Sequence, residues 1–252
     1  MTLITLATDF GRRDGYNGAV IGVIKTLSPR SEVIEITAEL DSILKASFVL
    51  WRYYSQYPIG TVHLVVVDPT VGTERRALAG TDGKYLFVGP DNGLFTKIME
   101  NDRESTWYEI DTAKLPVHES SSTFHARDIF APVAALLSMG KAPEILGRKI
   151  SDPVAIELPK PALKDNTVKG EIIDIDSFGN LIINIPGEML GSGAKVMLKE
   201  KNIPLRHTFA DVKTGYPVAY IGSLGLLEIA INRGRADNYF KTRIGAKVTL
   251  KI

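Results

Sequence analysis

The chain has 252 residues, 44% of them hydrophobic and 23% charged, an ordinary balance for a soluble globular protein and enough for one large domain or two smaller ones. Thirty basic residues against 29 acidic leave a formal net charge of +1, so nothing in the balance points to nucleic acid or to an anionic membrane surface. Cysteine is absent, which excludes disulfides, thiolate catalysis and thiolate zinc sites.

The N-terminal segment MTLITLATDFG has no basic stretch ahead of an apolar one, and no apolar run approaches the roughly 18 residues of a membrane span, so a soluble cytoplasmic protein is expected. LITLATDF (residues 3–10) reads as a buried strand that stops at a polar, glycine-bearing turn. Residues 16–27 have helical spacing and end at Ser28-Pro29. EVIEIT (32–37) alternates as a strand, and residues 43–57 read as a helix. TVHLVVVD (61–68) is the strongest strand pattern, a continuous Val-rich run suited to the centre of a sheet. ALAGT and YLFVG follow as shorter strands; residues 91–99 lead from a turn into a helix, and residues 128–139 form another that stops at Gly140.

This alternation predicts an N-terminal α/β domain over residues 1–157 with a mostly parallel or mixed central sheet. Two prolines, mixed charge and lost periodicity mark residues 158–167 as a linker. Beyond it, KGEIIDID, NLIINI, AKVMLK, PVAYIG, LLEIAIN and AKVTLKI are short strands punctuated by glycine or asparagine. They predict a smaller all-β, barrel-like domain over residues 168–252.

Ligands on α/β sheets sit beyond the carboxyl ends of strands, where Asp9 and Asp68 both fall. A carboxylate at Asp9 suits a ribose diol, although an Asx-type turn explains it as simply. In DPTVGTERR, Asp68 and Arg75 stand on either side of a turn, an arrangement that taken alone is more often a structural ion pair than a site. VGPDNGL offers Asp91 and Asn92, with turn chemistry the plainer reading. In STFHARDIFAP, His125 stands just ahead of a helix, placed for proton transfer, while Asp128 complements the helix dipole. His63, inside a strand, reads as a core residue. In the second domain, DSFGNLIINI presents Asp176, a Phe178 ring face and the Asn180 amide in one turn; a ring stacks on a base and an amide pairs with a purine edge or a ribose hydroxyl. Tyr220, Ser223, Glu228 and Asn232 add polar groups along two strands and their turn. The sequence has no zinc-protease or EF-hand motif, so no metal is expected; neither GxxxxGK[ST] nor GxGxxG occurs, so neither NTP hydrolysis nor a nicotinamide cofactor is supported.

Six segments together, TDFGRRDGYNG, GTVHLVVVDPTVGTERRAL, FVGPDNGL, STFHARDIFAPVAALL, DSFGNLIINI and GSLGLLEIAIN, resemble the S-adenosyl-L-methionine hydroxide adenosyltransferases in order and spacing over nearly the whole chain. These are hydrolytic relatives of the fluorinating and chlorinating enzymes that use the same substrate. The resemblance implies an α/β domain followed by a β-barrel-like domain. It also implies a homotrimer with substrate held between the N-terminal domain of one subunit and the C-terminal domain of its neighbour. The implied activity is cleavage of S-adenosylmethionine by water at ribose C5′, giving adenosine and methionine, with no cofactor. By motif, the catalytic set falls on Asp68, Arg75 and His125, and the ribose carboxylate on Asp9. Adenosine contacts fall on Phe178, Asn180, Tyr220, Ser223 and Asn232, and the methionine ammonium meets Asp176. The halogenating branch is similar but places tyrosine at Asp68 and a serine at Ala126. Thr70 departs from the glycine usual in the hydrolytic branch, where a positive φ would be free of cost.

A sulfonium leaves as a neutral thioether, so the reaction lacks only a nucleophile, and water with a pKa near ~15.7 is a poor one at neutral pH. Arginine stays protonated and cannot be the base. Asp68 and His125 both remain candidates to take the proton. A metal-dependent nucleotide hydrolase built on strand-end aspartates, or a catalytically silent adenosine-binding protein, are the alternatives.

Overall fold

A strand as continuously apolar as TVHLVVV needs cover on both faces, and that requirement organises the first part of the molecule. The computed structural model describes residues 2–116, 121–191 and 194–252. It divides into two compact units, Met1–Leu158 and Pro159–Ile252.

In the first unit, β1 (Leu3–Thr8) is followed by α1 (Tyr16–Leu27), β2 (Glu32–Thr37), α2 (Ile43–Tyr53) and β3 (Val62–Val66). Then come β4 (Ala77–Thr81), β5 (Leu86–Pro90), α3 (Thr96–Asn101), β6 (Thr106–Ile110), α4 (Ala131–Ser138), α5 (Pro143–Leu146) and β7 (Gly147–Ile150). The strands form one sheet in the order β2-β1-β3-β5-β4-β6-β7. β2, β1, β3 and β5 run parallel, and β4, β6 and β7 add antiparallel ladders. On one face Val62, Leu64 and Val66 of β3 pack with Val20 and Ile24 of α1 and Val133 and Leu137 of α4. On the other, Val65 and Val67 pack with Ala46 and Leu50 of α2 and Ile98 of α3. Each such fully buried aliphatic side chain contributes roughly 1.5–3 kcal/mol, and a one-residue slip of β3 would leave both layers out of register.

The helix expected over residues 43–57 starts at a capped end, Lys45 N donating to Ser42 Oγ at 3.2 Å, and gives way to a 3₁₀ turn at Tyr54–Gln56. The one expected over 128–139 begins earlier, as a π-helical turn at Ala126–Phe130 that runs into α4. β6 and β7 carry mixed polar sequence without clean alternation and had no strand signal.

The second unit contains β8 (Ala162–Lys164), β9 (Thr167–Ile175), β10 (Leu181–Pro186), β11 (Lys195–Leu198) and β12 (Lys201–Ile203). β13 (Pro217–Ile221), β14 (Leu226–Ile231), α6 (Ala236–Phe240) and β15 (Lys247–Lys251) complete it. Its sheet runs β12-β11-β15-β9-β10-β14-β13 in antiparallel ladders, with β8 on β9, inside the stretch whose composition suggests a linker. A bridge between Leu205 and Ala219 brings the two ends of the sheet together, so the sheet is nearly closed around Val168, Leu181, Ile183, Val196, Leu227 and Val248. The expected α/β and barrel-like classes both hold.

Candidate active site

The parallel register pairs Thr8 of β1 with Val66 of β3, so the chain leaves both strands at the same edge, at Asp9 and Asp68. After Asp68 the chain turns through residues 69–74, with Val71 N on Asp68 O at 3.2 Å and Thr73 Oγ1 on Thr70 O at 2.8 Å. It returns at Arg75, just ahead of β4. Arg75 Nε donates to both Asp68 carboxylate oxygens at 3.0 Å, and Arg75 Nη2 bonds Asp68 Oδ2 as well. Both side chains are nearly covered, at 7% and 6% exposure, which makes this a desolvated pair in which neither charge tolerates loss of the other.

His125 closes the group: Arg75 Nη2 lies 2.9 Å from His125 Nδ1. A guanidinium only donates, so Nδ1 accepts, and the ring hydrogen sits on Nε2. Burial and then the Arg75 charge hold the His125 pKa below its ordinary value, against the pull of Asp68 and Asp128, so the ring is neutral at pH 7. The Phe130 ring lies under the Arg75 guanidinium at 5.1 Å. Asp128, one helical turn along, accepts from Ser121 N at 2.7 Å and from Arg127 Nε at 2.6 Å. Burial works to raise its pKa, but Arg127 and the Ser121 amide outweigh that and lower it. Asp128 thereby ties the 121–125 loop to the helix.

Asp9 reaches the surface beside this group. Loss of water around its carboxyl, with the nearby Asp68 charge, holds its pKa above the ordinary range, against the Asp9 and Asp68 backbone amides. Phe10, Tyr16 and Phe124 pack edge to face with centroids 5.3–6.0 Å apart, an apolar wall next to Asp9 and His125. Sequence reading missed Phe10, Tyr16 and Phe130; the first borders Asp9 directly, which was the available signal, whereas Phe130 had none. His63 stands elsewhere, fully buried, with Nδ1 2.8 Å from Thr5 Oγ1 and rings of Tyr53, Tyr54, Tyr57, Tyr85 and Phe87 around it.

In the second unit, Asp176 Oδ1 accepts from Asn180 N at 2.8 Å and Oδ2 from Asn180 Nδ2 at 2.9 Å, so these two residues hold each other across a turn. Phe178, at its tip, is 74% exposed. Tyr220 on β13 faces Glu228 on β14; burial and then the Glu228 charge and hydrogen bond raise its pKa far above the phenol range. Ser223 and Asn232 are not brought together, since one lies in the β13–β14 turn and the other follows β14. That separates them by a strand length, on the order of 20 Å. Asn232 Nδ2 donates to Val212 O at 2.6 Å, which ties it to the segment ahead of β13. Among the described residues, no group of three or more His, Asp or Glu side chains is placed to hold a metal ion.

Residues 4–147 match the SAM hydroxide adenosyltransferase N-terminal domain, and residues 170–249 match its C-terminal domain. The chain belongs to the SAM hydroxide adenosyltransferase family. It is 37% identical, over 99% of its length and 100% of the other's, to a protein of Thermus thermophilus named (R)-S-adenosyl-L-methionine hydrolase. It is 26% identical to a fluorinase of an Actinoplanes species, over 98% and 97% of the two chains. A crystal structure of an uncharacterised conserved protein from Thermotoga maritima superposes with a TM-score of 0.92 at 35% identity, over 99% of this chain and 100% of that one. Against the family's usual glycine, Thr70 causes no backbone strain. The left-handed residue of the loop is Gly72, at φ +82°, and Thr70 Oγ1 lies 3.3 Å from Asp68 Oδ1. A Cβ at Gly72 would meet Ser122 O at 2.6 Å, so this glycine lets the Asp68–Arg75 loop close on the loop that carries His125.

Proposed function

We propose that the protein hydrolyses S-adenosyl-L-methionine at ribose C5′, giving adenosine and L-methionine. The observation that carries this reading is the contact chain Asp68–Arg75–His125 at the strand edge, in a member of this family. Water held there attacks C5′ as the thioether leaves, in line and on the opposite side. Arg75 remains a cation and stabilises the growing hydroxide character, its charge balanced by Asp68. His125 accepts from Arg75 through Nδ1 and carries its hydrogen on Nε2, so it orients the water's oxygen and leaves Asp68 as the proton acceptor. Positioning of this kind supplies roughly 7–11 kcal/mol, more than the ~10²–10⁴-fold of base assistance. Asp9 takes the ribose diol. Phe178, Asn180 and Tyr220 hold adenosine, Glu228 fixes Tyr220, and Asp176 meets the methionine ammonium; Ser223 and Asn232, a strand length apart, do not both reach the nucleoside.

We further propose a cytoplasmic homotrimer with its sites between subunits; rings as bare as Phe178, at 74%, and Tyr216, at 61%, suit a surface that another subunit covers. The reaction needs no cofactor, because the sulfonium supplies its own leaving group. Relatives named for the (R) epimer direct attention to sulfur configuration, so each epimer is tested separately. The experiment is incubation with each sulfonium epimer in chloride and fluoride buffers, with and without EDTA, followed by chromatography. Adenosine and methionine in equal amounts, indifferent to EDTA and lost in Asp68→Asn, are expected. A 5′-halo-adenosine, or full turnover in Asp68→Asn, would overturn the proposal.

A further inference from the structure

Behind the Asp68–Arg75 pair lies the turn GPDNG at the end of β5, and its two polar residues reach to opposite sides of the pair. Asn92 Nδ2 donates to Val67 O at 2.8 Å, the carbonyl directly before Asp68. Asp91 N donates to Arg76 O at 2.9 Å, directly after Arg75, and Arg76 Nε donates to Asp91 Oδ2 at 2.6 Å. Arg75 Nη1 also reaches the same Arg76 carbonyl, at 3.4 Å. The Asp91 side chain is 2% exposed, and its second oxygen accepts from Val154 N at 2.7 Å. Arg76 is held further by Asp152, through Nη1 to Oδ1 at 2.9 Å and Nη2 to the carbonyl at 2.6 Å.

We propose that Asp91 and Asn92 are positioning residues that fix the two stems of the 69–74 loop, and so set how Arg75 is presented to Asp68 and to His125. The physical need is plain. β3 and β4 are not neighbours in the sheet, because β5 lies between them, so no ladder hydrogen bond ties the stem at Val67 to the stem at Arg76. The turn that ends the intervening strand spans that gap with one side chain for each stem. Two consecutive arginines then point to different partners: Arg76 into Asp91 as the anchor, Arg75 into Asp68 as the working group. Apart from the Arg76 carbonyl, which belongs to the same stem, the partners of the Arg75 guanidinium among the described residues are the side chains of Asp68 and His125, so freedom in its stem passes directly to the guanidinium. A displacement near 1 Å is enough to cost about 100-fold in an in-line reaction.

The substitutions that isolate this role keep shape. Asn92→Asp keeps the oxygen that accepts from Leu94 N but replaces the donor to Val67 O with an acceptor. Asp91→Asn keeps the acceptor for Val154 N and removes the charge facing Arg76, and Arg76→Lys tests the anchor from its more exposed side. Tyr85→Phe is the control: it removes hydrogen bonds to Ser55 O and Tyr57 O from the same unit without touching either stem. Two readouts are needed, because the catalytic one rests on the proposed hydrolysis. In the first, kcat with S-adenosylmethionine falls about 10–100-fold in the three stem variants, while KM and adenosine affinity stay within about threefold. In the second, the His125 Cε1 proton is titrated by NMR. The charged groups facing that ring are Arg75, Asp68 and Asp128, and retreat of Arg75 moves the midpoint upward from its depressed wild-type position.

Folded variants with an unchanged His125 titration and unchanged kcat would overturn the proposal. So would losses that simply track melting temperature as they do in Tyr85→Phe. A wild-type protein that does not turn over S-adenosylmethionine refutes the functional reading alone, and the titration still decides the positioning role.

Discussion

Replacing His125 by glutamine and by alanine separates an orienting imidazole from a proton-accepting one. Glutamine offers an amide oxygen that can accept from Arg75 and an amide N–H toward the side of Nε2, without an ionisable group. Alanine deletes the 2.9 Å contact with Arg75 altogether. A hydrogen bond to a charged group is worth about 1.5–3 kcal/mol, so if that contact acts in the transition state its loss slows turnover about 10–150-fold. Glutamine should recover most of this, staying within about tenfold of wild type. The acid side of the pH profile adds a second sign. The folded pKa of His125 is depressed, so the limb at which the ring protonates, and Nδ1 can no longer accept from Arg75, lies below the ordinary histidine value. His125→Gln should lose that limb and keep its plateau. Single-turnover release of adenosine, with calorimetric adenosine affinity as the binding control, measures both. If glutamine is as slow as alanine, by the ~10²–10⁴-fold of a lost base, the assignment of the proton to Asp68 is wrong.

Two further outcomes follow from groups outside the reacting set. His63 is fully buried with a pKa held down at about 3 by desolvation, against ~6.5 in the unfolded chain; the unfolded state therefore takes its proton first, and stability present above pH 6.5 is lost as pH falls from there toward 3. At pH 5 the loss is about 2 kcal/mol, and urea unfolding should show a slope between pH 6.5 and 5 that His63→Phe flattens. Gly72→Ala sets a Cβ against Ser122 O in a left-handed backbone, at a cost of about 1–3 kcal/mol, and should lower kcat as well as melting temperature because it parts the loops of Arg75 and His125.

Both domains were legible where hydrophobic period is strong: β3 from its Val run, α1 from its spacing and its Ser28-Pro29 stop, the barrel strands from their short glycine-bounded repeats. What escaped was structure held by neighbours rather than by its own pattern. β6 and β7 are mixed in polarity and become strands because the antiparallel β4 offers a ladder to β6, and β6 in turn offers one to β7. The π-helical turn after His125, whose Asp128 accepts from Ser121 N, is not encoded in composition. The site divides in the same way. Asp68 with Arg75 in one motif, and His125 in another, were each by themselves as well explained by a turn or an ion pair; only the resemblance over the whole chain named the three together.

Their meeting depends on two contributions distant in sequence, the close approach that Gly72 permits and the stems held from β5, while the parallel pairing of β1 with β3 adds Asp9 beside them. The second of these contributions explains why two arginines stand side by side. In a loop whose strands are not paired with each other, one cation has to be given to the scaffold before the next can be placed with hydrogen-bond accuracy. The GPDNG turn, which as sequence is only a turn, is where that scaffold cation is received. Thr70, the departure from the family pattern, leaves that arrangement intact because the backbone demand for a left-handed residue falls on Gly72.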